Sequence, residues 1–206
     1  MIFSYYEINK LPIIVIDKLY TADESERIWQ ELCFLNNHPS KLKNPEDTGS
    51  AWVTEDDQKK FLKKNKAISL DMTYRDRGMS SILAENRKIF NRELTDQLIK
   101  YHDFFRYMQH INSDATLVSY YENSDFYLPH HDDATITAIT WFYKNPKMFT
   151  GGDIIFENEV NIECISNRCV IFPSLFLHEV TKINMEPNLE KNCGRFTISQ
   201  FLSFVI

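Results

Sequence analysis

The chain has 206 residues and a formal net charge of −6, which argues against a domain that holds nucleic acid through a basic surface. It is 43% hydrophobic and 14% aromatic, with 15 Phe and 10 Tyr, so it can bury a large core and is no disordered tail. The length suits one compact domain, 1–206. The lysines at 59, 60, 63, 64 and 66 read as a solvated face. Cys33, Cys164, Cys169 and Cys193 form no Cys-x-x-Cys pair and no zinc spacing. They read as small buried hydrophobes in a reducing compartment, and a cytoplasmic location is the expectation. An apolar run at 11–16 is too short for a membrane or signal segment.

The first half, 1–115, reads as a mainly helical support region. Thr21 followed by Glu24 predicts a capping box, with Ile28, Leu32 and Leu35 recurring at helical spacing. Residues 37–66 are polar and turn-rich and read as a long loop. A second helical region spans about 80–109, carrying Leu83, Ile89, Phe90, Leu94, Leu98, Phe105 and Met108 as its apolar stripe, with a break near Asn91.

From residue 116 the character changes to short runs rich in Val, Ile, Thr, Phe and Tyr. Strands are expected near 117–121, 126–131, 136–143, 153–157, 161–165, 168–172, 178–183 and 195–204. About eight short strands suggest an antiparallel sandwich or jelly roll in 116–206. Helices first and strands later give α+β, with the helices packed outside the sheet.

Of six histidines, His38, His102 and His110 fall in the helical half and read as surface or satisfied partners. The other three fall among the strands. Residues two apart on a strand share a face, so a His-x-Asp pair can offer an imidazole nitrogen and a carboxylate oxygen to one ion. His130-His131-Asp132-Asp133 contains two such pairs, His130/Asp132 and His131/Asp133, and a one-residue slip would exchange their faces. His178 supplies a second imidazole. Two His and one carboxylate on one side of an octahedron leave the other side open, the arrangement of non-haem iron(II) oxygenases.

Around these residues lie Tyr121, then Tyr127-Leu128-Pro129-His130-His131-Asp132, Thr140-Trp141-Phe142-Tyr143, Gly151-Gly152-Asp153-Ile154-Ile155-Phe156, Phe172-Pro173, His178-Glu179-Val180 and Gly194-Arg195-Phe196-Thr197. In this order the stretch 120–200 resembles the catalytic core of the prolyl-4-hydroxylase-like branch of the 2-oxoglutarate and iron(II)-dependent oxygenases. The resemblance implies a double-stranded β-helix and the ligand set His130, Asp132 and His178, since Tyr127 and Pro129 precede His130 as in the family pattern. It implies that Arg195 pairs with the far carboxylate of 2-oxoglutarate, with Tyr121 and Thr197 beside it. The polar stretch 184–192 lengthens the gap between His178 and Arg195 and reads as an inserted loop.

The implied chemistry is consumption of 2-oxoglutarate and dioxygen, release of succinate and CO2, and hydroxylation of a substrate. The cofactors are Fe(II) and 2-oxoglutarate, with ascorbate a further candidate. The substrate is a prolyl residue of a protein or a small molecule, with no membrane partner. Two other readings use the same fold: a cupin-like metalloenzyme without a 2-oxo acid, and an inactive jelly-roll binding module. The first needs no buried Arg195, and the second needs no intact ligands. Without their neighbours, Arg195 reads as a salt-bridge partner, Gly151-Gly152 as a hairpin turn, and Tyr121 and Trp141 as core aromatics.

Overall fold

The computed structural model describes residues 1–38, 41–48, 51–55 and 58–205, without the side chains of 58 and 59. In chain order the strands are β1 (Ile2–Ile8), β2 (Leu11–Asp17), β3 (Trp52–Glu55), β4 (Gln58–Phe61), β5 (Lys63–Lys64), β6 (Lys66–Ser69), β7 (Ser113–Tyr121) and β8 (Phe126–His130). They continue as β9 (Ile136–Phe142), β10 (Phe149–Thr150), β11 (Ile154–Phe156), β12 (Val160–Ile162), β13 (Arg168–Pro173), β14 (His178–Val180), β15 (Asn184–Met185) and β16 (Arg195–Ser203). The α-helices are α1 (Ala22–Asn37), α2 (Pro45–Thr48), α3 (Leu70–Thr73), α4 (Ser81–Glu85) and α5 (Arg92–Tyr101).

Two sheets face each other. The larger runs β1-β2-β13-β9-β16-β7-β6, and the smaller runs β12-β11-β14-β8-β5. Side-chain alternation divides the larger sheet into two faces. Ile14, Ile16, Cys169, Ile171, Ala138, Phe142, Ile198 and Leu202 point outward, onto Ile28, Leu32 and Leu35 of α1 and Leu94 and Leu98 of α5. Ile13, Val15, Val170, Phe172, Ile139 and Trp141 point inward, onto Ile154, Phe156, Ile162 and Val180 of the smaller sheet. At β7 and β16 the inward face changes from apolar to polar, with Ser119, Tyr121, Arg195, Thr197 and Ser199 opening a cavity between the sheets. This is the α+β jelly roll expected from the strand pattern, with the helices outside. All eight strands expected after residue 116 are present.

Local signals act as the sequence predicts. Thr21 accepts from the Glu24 amide at 3.3 Å while the Glu24 carboxylate accepts from the Thr21 amide at 2.7 Å, closing the capping box of α1. The second helical region breaks at Asn91, which caps α5 by accepting from the Glu93 amide.

The helical reading of 1–115 is incomplete. β1 and β2 form a hairpin through Asn9 and Lys10, both at positive φ, and β2 joins the larger sheet against β13. Leu11–Asp17 is covered on both faces, so it carries a continuous apolar run where a half-exposed strand would alternate. Arg168 clamps the pair, with Nε and Nη2 donating to the two Asp17 oxygens at 2.6 and 3.0 Å. Residues 37–66 are not a plain loop, since β3, β4 and β5 lie within them, although 39–40, 49–50 and 56–57 fall outside the described residues. The stretch 184–192 begins with β15, which pairs with β10. Gly151 and Gly152 do not close a hairpin: they carry the chain from β10 to β11, which pairs with β12 and β14.

Candidate metal centre and co-substrate pocket

His130 is the last residue of β8 and lies opposite His178, the first residue of β14. The pairing brings the two imidazoles together, with ring centroids 4.2 Å apart. Each ring is oriented by a backbone carbonyl: His130 Nδ1 lies 2.9 Å from Leu128 O, and His178 Nδ1 lies 2.9 Å from Phe176 O. A carbonyl only accepts, so each Nδ1 carries the proton and each Nε2 keeps its lone pair toward the cavity. Tyr127 fixes the His130 plane by stacking on it, with 3.5 Å between centroids.

Asp132 departs from the expected strand geometry. It lies two residues beyond the end of β8, so the pleat does not aim its carboxylate. Its backbone amide donates to Ser174 O at 3.2 Å, and its Oδ2 accepts from the Thr137 hydroxyl at 2.8 Å. That hydroxyl also lies 2.8 Å from Ser174 Oγ. Thus held, Asp132 comes within 3.5 Å of His178 Nε2 and 3.8 Å of His130 Nε2. One ligand atom from each of the three residues lies within 4.8 Å of the others, close enough to share one ion.

Electrostatics favour the basic forms of the imidazoles. Burial first, then the charge of His178, pushes the His130 pKa down to about 3. Burial lowers that of His178 too, against the pull of Asp132. Burial raises that of Asp132, and His178 and the Thr137 hydrogen bond oppose the rise. A divalent cation would fix all three in their ligating forms, since it repels protons from each. His131 and Asp133 are both exposed at the rim, and His131 Nδ1 faces Leu175 O at 2.8 Å.

The same cavity, about 410 Å³, is lined by Tyr121, Arg195, Thr197 and Lys63. Arg195 starts β16 opposite Tyr121 on β7. It is 1% exposed, with its guanidinium carbon 4.7 Å from the Tyr121 ring centroid and 5.5 Å from that of Trp141. Its Nε and Nη1 have no hydrogen-bond partner, and neither do the buried Thr197 Oγ1 and Trp141 Nε1. Buried donors are normally paired, and a buried guanidinium without an anion is costly. The pocket is therefore built for an anion that supplies acceptors. Sequence reasoning did not find Thr137 and Ser174, which anchor Asp132, since nothing in their local sequence marks that role; Gly152 stood within the motif, but its packing against Arg195 was not evident there.

Residues 115–203 match the family model described as the 2OG-Fe(II) oxygenase superfamily. Among solved structures the chain is similar to a prolyl-4-hydroxylase from Pseudomonas putida, at 14% identity and a TM-score of 0.58 over 94% of this chain and 93% of that one. It is similar to the viral collagen prolyl hydroxylase from Paramecium Bursaria Chlorella virus-1 in its 2OG complex, at 12% identity and a TM-score of 0.56, covering 94% and 96%. It is also similar to an oxidoreductase of the 2OG-Fe(II) oxygenase family from Burkholderia pseudomallei, at 11% identity and a TM-score of 0.58, covering 94% and 85%. At such identities these likenesses are of fold. No curated protein sequence matches the chain. The strand-rich segment therefore carries the sequence pattern of the 2OG-Fe(II) oxygenase superfamily, and the fold is similar to that of prolyl-4-hydroxylases.

Proposed function

We propose that the protein is a dioxygenase using Fe(II) and 2-oxoglutarate that hydroxylates a small molecule or a prolyl residue, releasing succinate and CO2, with His130, Asp132 and His178 as the iron ligands. Arg195 would hold the far carboxylate of 2-oxoglutarate, and Thr197 and Tyr121 would assist it. One observation carries the reading: two buried Arg195 donors and the Thr197 hydroxyl stand unpaired in the cavity that also contains the three-ligand cluster.

The donor set suits Fe(II), with two neutral imidazoles and one carboxylate leaving coordination positions for a 2-oxo acid. Bound iron and co-substrate supply the activation of oxygen. The residues of the chain bind and orient. The Leu128 and Phe176 carbonyls hold the imidazoles in the ligating tautomer, and the Thr137 hydroxyl holds the carboxylate. Arg195 offers a planar fork that meets a carboxylate through two parallel hydrogen bonds. Ile139, Val180 and Phe201 line the same cavity and exclude water around the reacting centre. The cupin-like alternative has no use for a buried, unpaired arginine.

Because β1, β2 and β6 complete the larger sheet, we take 1–206 as one functional unit, with 116–206 as its core. No described helix is long and apolar enough to cross a membrane. With four free cysteines, a reducing, cytoplasmic setting is the location we propose.

The test is succinate formation by protein loaded with Fe(II) and 2-oxoglutarate and exposed to oxygen with a panel of prolyl peptides, amino acids and small acids. At least one compound should raise succinate release above the basal rate. Release no greater than that of a His130→Ala, His178→Ala double variant, with every compound, would contradict the proposal.

A further inference from the structure

The lysine-rich stretch that reads as a solvated face divides in two. Lys60 and Lys64 are exposed and Lys66 is half-buried, and each faces a carboxylate: Glu55 at 2.7 Å, Asp125 at 3.3 Å and Glu122 at 3.3 Å. The side chain of Lys59 lies outside the described residues. Lys63 differs from its neighbours. It is 5% exposed and lines the cavity, and among the described residues its ammonium meets no carboxylate. It lies over the face of Tyr127, 5.6 Å from ammonium to ring centroid. Burial alone lowers its pKa, with no anion to oppose the shift.

The fold places this cation deliberately close to the metal cluster. β5 is an edge strand paired with β8, and Lys63 lies opposite Tyr127, whose ring stacks on that of His130. A cation on a buried residue without a counter-charge opposes folding, so its presence at the cavity wall points to a ligand that supplies the charge. Resting on the proposed function, the co-substrate does not need it. One carboxylate of 2-oxoglutarate falls to Arg195, and its 2-oxo acid end to the metal. A second cation in the same cavity is left for a second molecule.

We propose that Lys63 anchors the substrate and that the substrate carries a carboxylate. Ligand pockets span roughly 300–1,000 Å³. A cavity of about 410 Å³ that also holds the co-substrate therefore favours a small acid, with the acidic side chain of a polypeptide as the other source of the same group.

The test titrates matched pairs into the anaerobic protein loaded with Fe(II) and 2-oxoglutarate, read by calorimetry. The pairs are acetate and acetamide, N-acetyl-L-proline and N-acetyl-L-prolinamide, and a capped Glu-Pro peptide and its Gln-Pro counterpart. In the wild type at least one acid should bind roughly tenfold more tightly than its amide, the minimum expected of a charge-assisted contact. Lys63→Met, which keeps the stem and removes the charge, should abolish that preference, and Lys63→Arg should retain it. Fe(II) and 2-oxoglutarate affinities should stay at wild-type values in both variants. The melting temperature of Lys63→Met should not fall, because an unpaired buried charge has been removed. A preference confined to the first two pairs identifies a small acid, and one confined to the peptide pair identifies a polypeptide side chain. The proposal is overturned if no acid is preferred, if the preference survives in Lys63→Met, or if that variant loses 2-oxoglutarate binding. Failure of the wild type to bind 2-oxoglutarate would instead overturn the co-substrate reading.

Discussion

Gly152 and Arg195 are packed so closely that a Cβ on Gly152 would lie 2.8 Å from Arg195 Cδ and 2.5 Å from Ile183 Cδ1. With φ at +77°, the position also disfavours any L side chain. The glycine is the floor on which the arginine lies.

Gly152→Ala should therefore act on the co-substrate before the metal. The arginine must shift or the backbone must move, at a cost of about 1–3 kcal/mol, as in overpacked cores. Lower 2-oxoglutarate affinity with iron affinity retained, measured anaerobically by calorimetry, is the expected result. Unchanged 2-oxoglutarate binding would show that the Arg195 position is not critical.

The doubled His-x-Asp offers a direct comparison. His130→Ala and Asp132→Ala should abolish tight Fe(II) binding, whereas His131→Ala and Asp133→Ala, at the exposed rim, should leave it near wild type. The reverse pattern, in metal content after dialysis against Fe(II) under argon, would move the ligand pair by one residue.

Thr137 tests the anchoring of Asp132. Thr137→Val removes the hydroxyl that donates to Oδ2 while keeping the branched shape. Loss of a group that orients a metal ligand typically lowers affinity about 10- to 100-fold. Wild-type Fe(II) affinity in this variant would mean that the Ser174 carbonyl alone positions the loop.

Much of this site was legible because short β-strands repeat their signal. Eight strands after residue 116 announced themselves through short β-branched and aromatic runs separated by turn residues, and Asn91 and Thr21 marked helix boundaries by their capping chemistry. Burial on both sides hid the rest. β2 lost its alternation because each face has a partner, so Leu11–Asp17 appeared only as an apolar run. Lys63 carried no mark distinguishing it from Lys60, Lys64 and Lys66, since inward direction on a two-residue edge strand is decided by β8. The placement of Asp132 depends on Ser174, 42 residues later in the chain, a contact that no local pattern records.

The titration of His130 has a consequence for the metal-free protein. The imidazole is held at about 3 in the folded state against an ordinary 6.5, so between these values the unfolded chain binds more protons. Its contribution to stability is complete above pH 6.5 and is lost as the pH falls toward 3. His130→Gln lacks this contribution, and its melting temperature should decline less steeply from pH 7 to pH 4.5 than that of the metal-free wild type. Parallel declines in thermal unfolding would show that the buried imidazole is not a source of acid sensitivity.

The account rests on Arg195 serving the co-substrate and not the metal, and separate anaerobic calorimetry of Fe(II) and of 2-oxoglutarate on Arg195→Ala tests it most directly. Hydrogen bonds to a charged group are worth about 1.5–3 kcal/mol each, and truncating one partner of a buried charge pair costs about 2–5 kcal/mol. At about 1.4 kcal/mol per tenfold, 2-oxoglutarate should bind roughly thirtyfold to a few thousandfold more weakly while Fe(II) binds as in the wild type. Arg195→Lys should recover part of the loss, since the charge stays and the planar fork does not. Equal weakening of both ligands would make the arginine a support of the fold, and no change in either would remove the co-substrate pocket from the account.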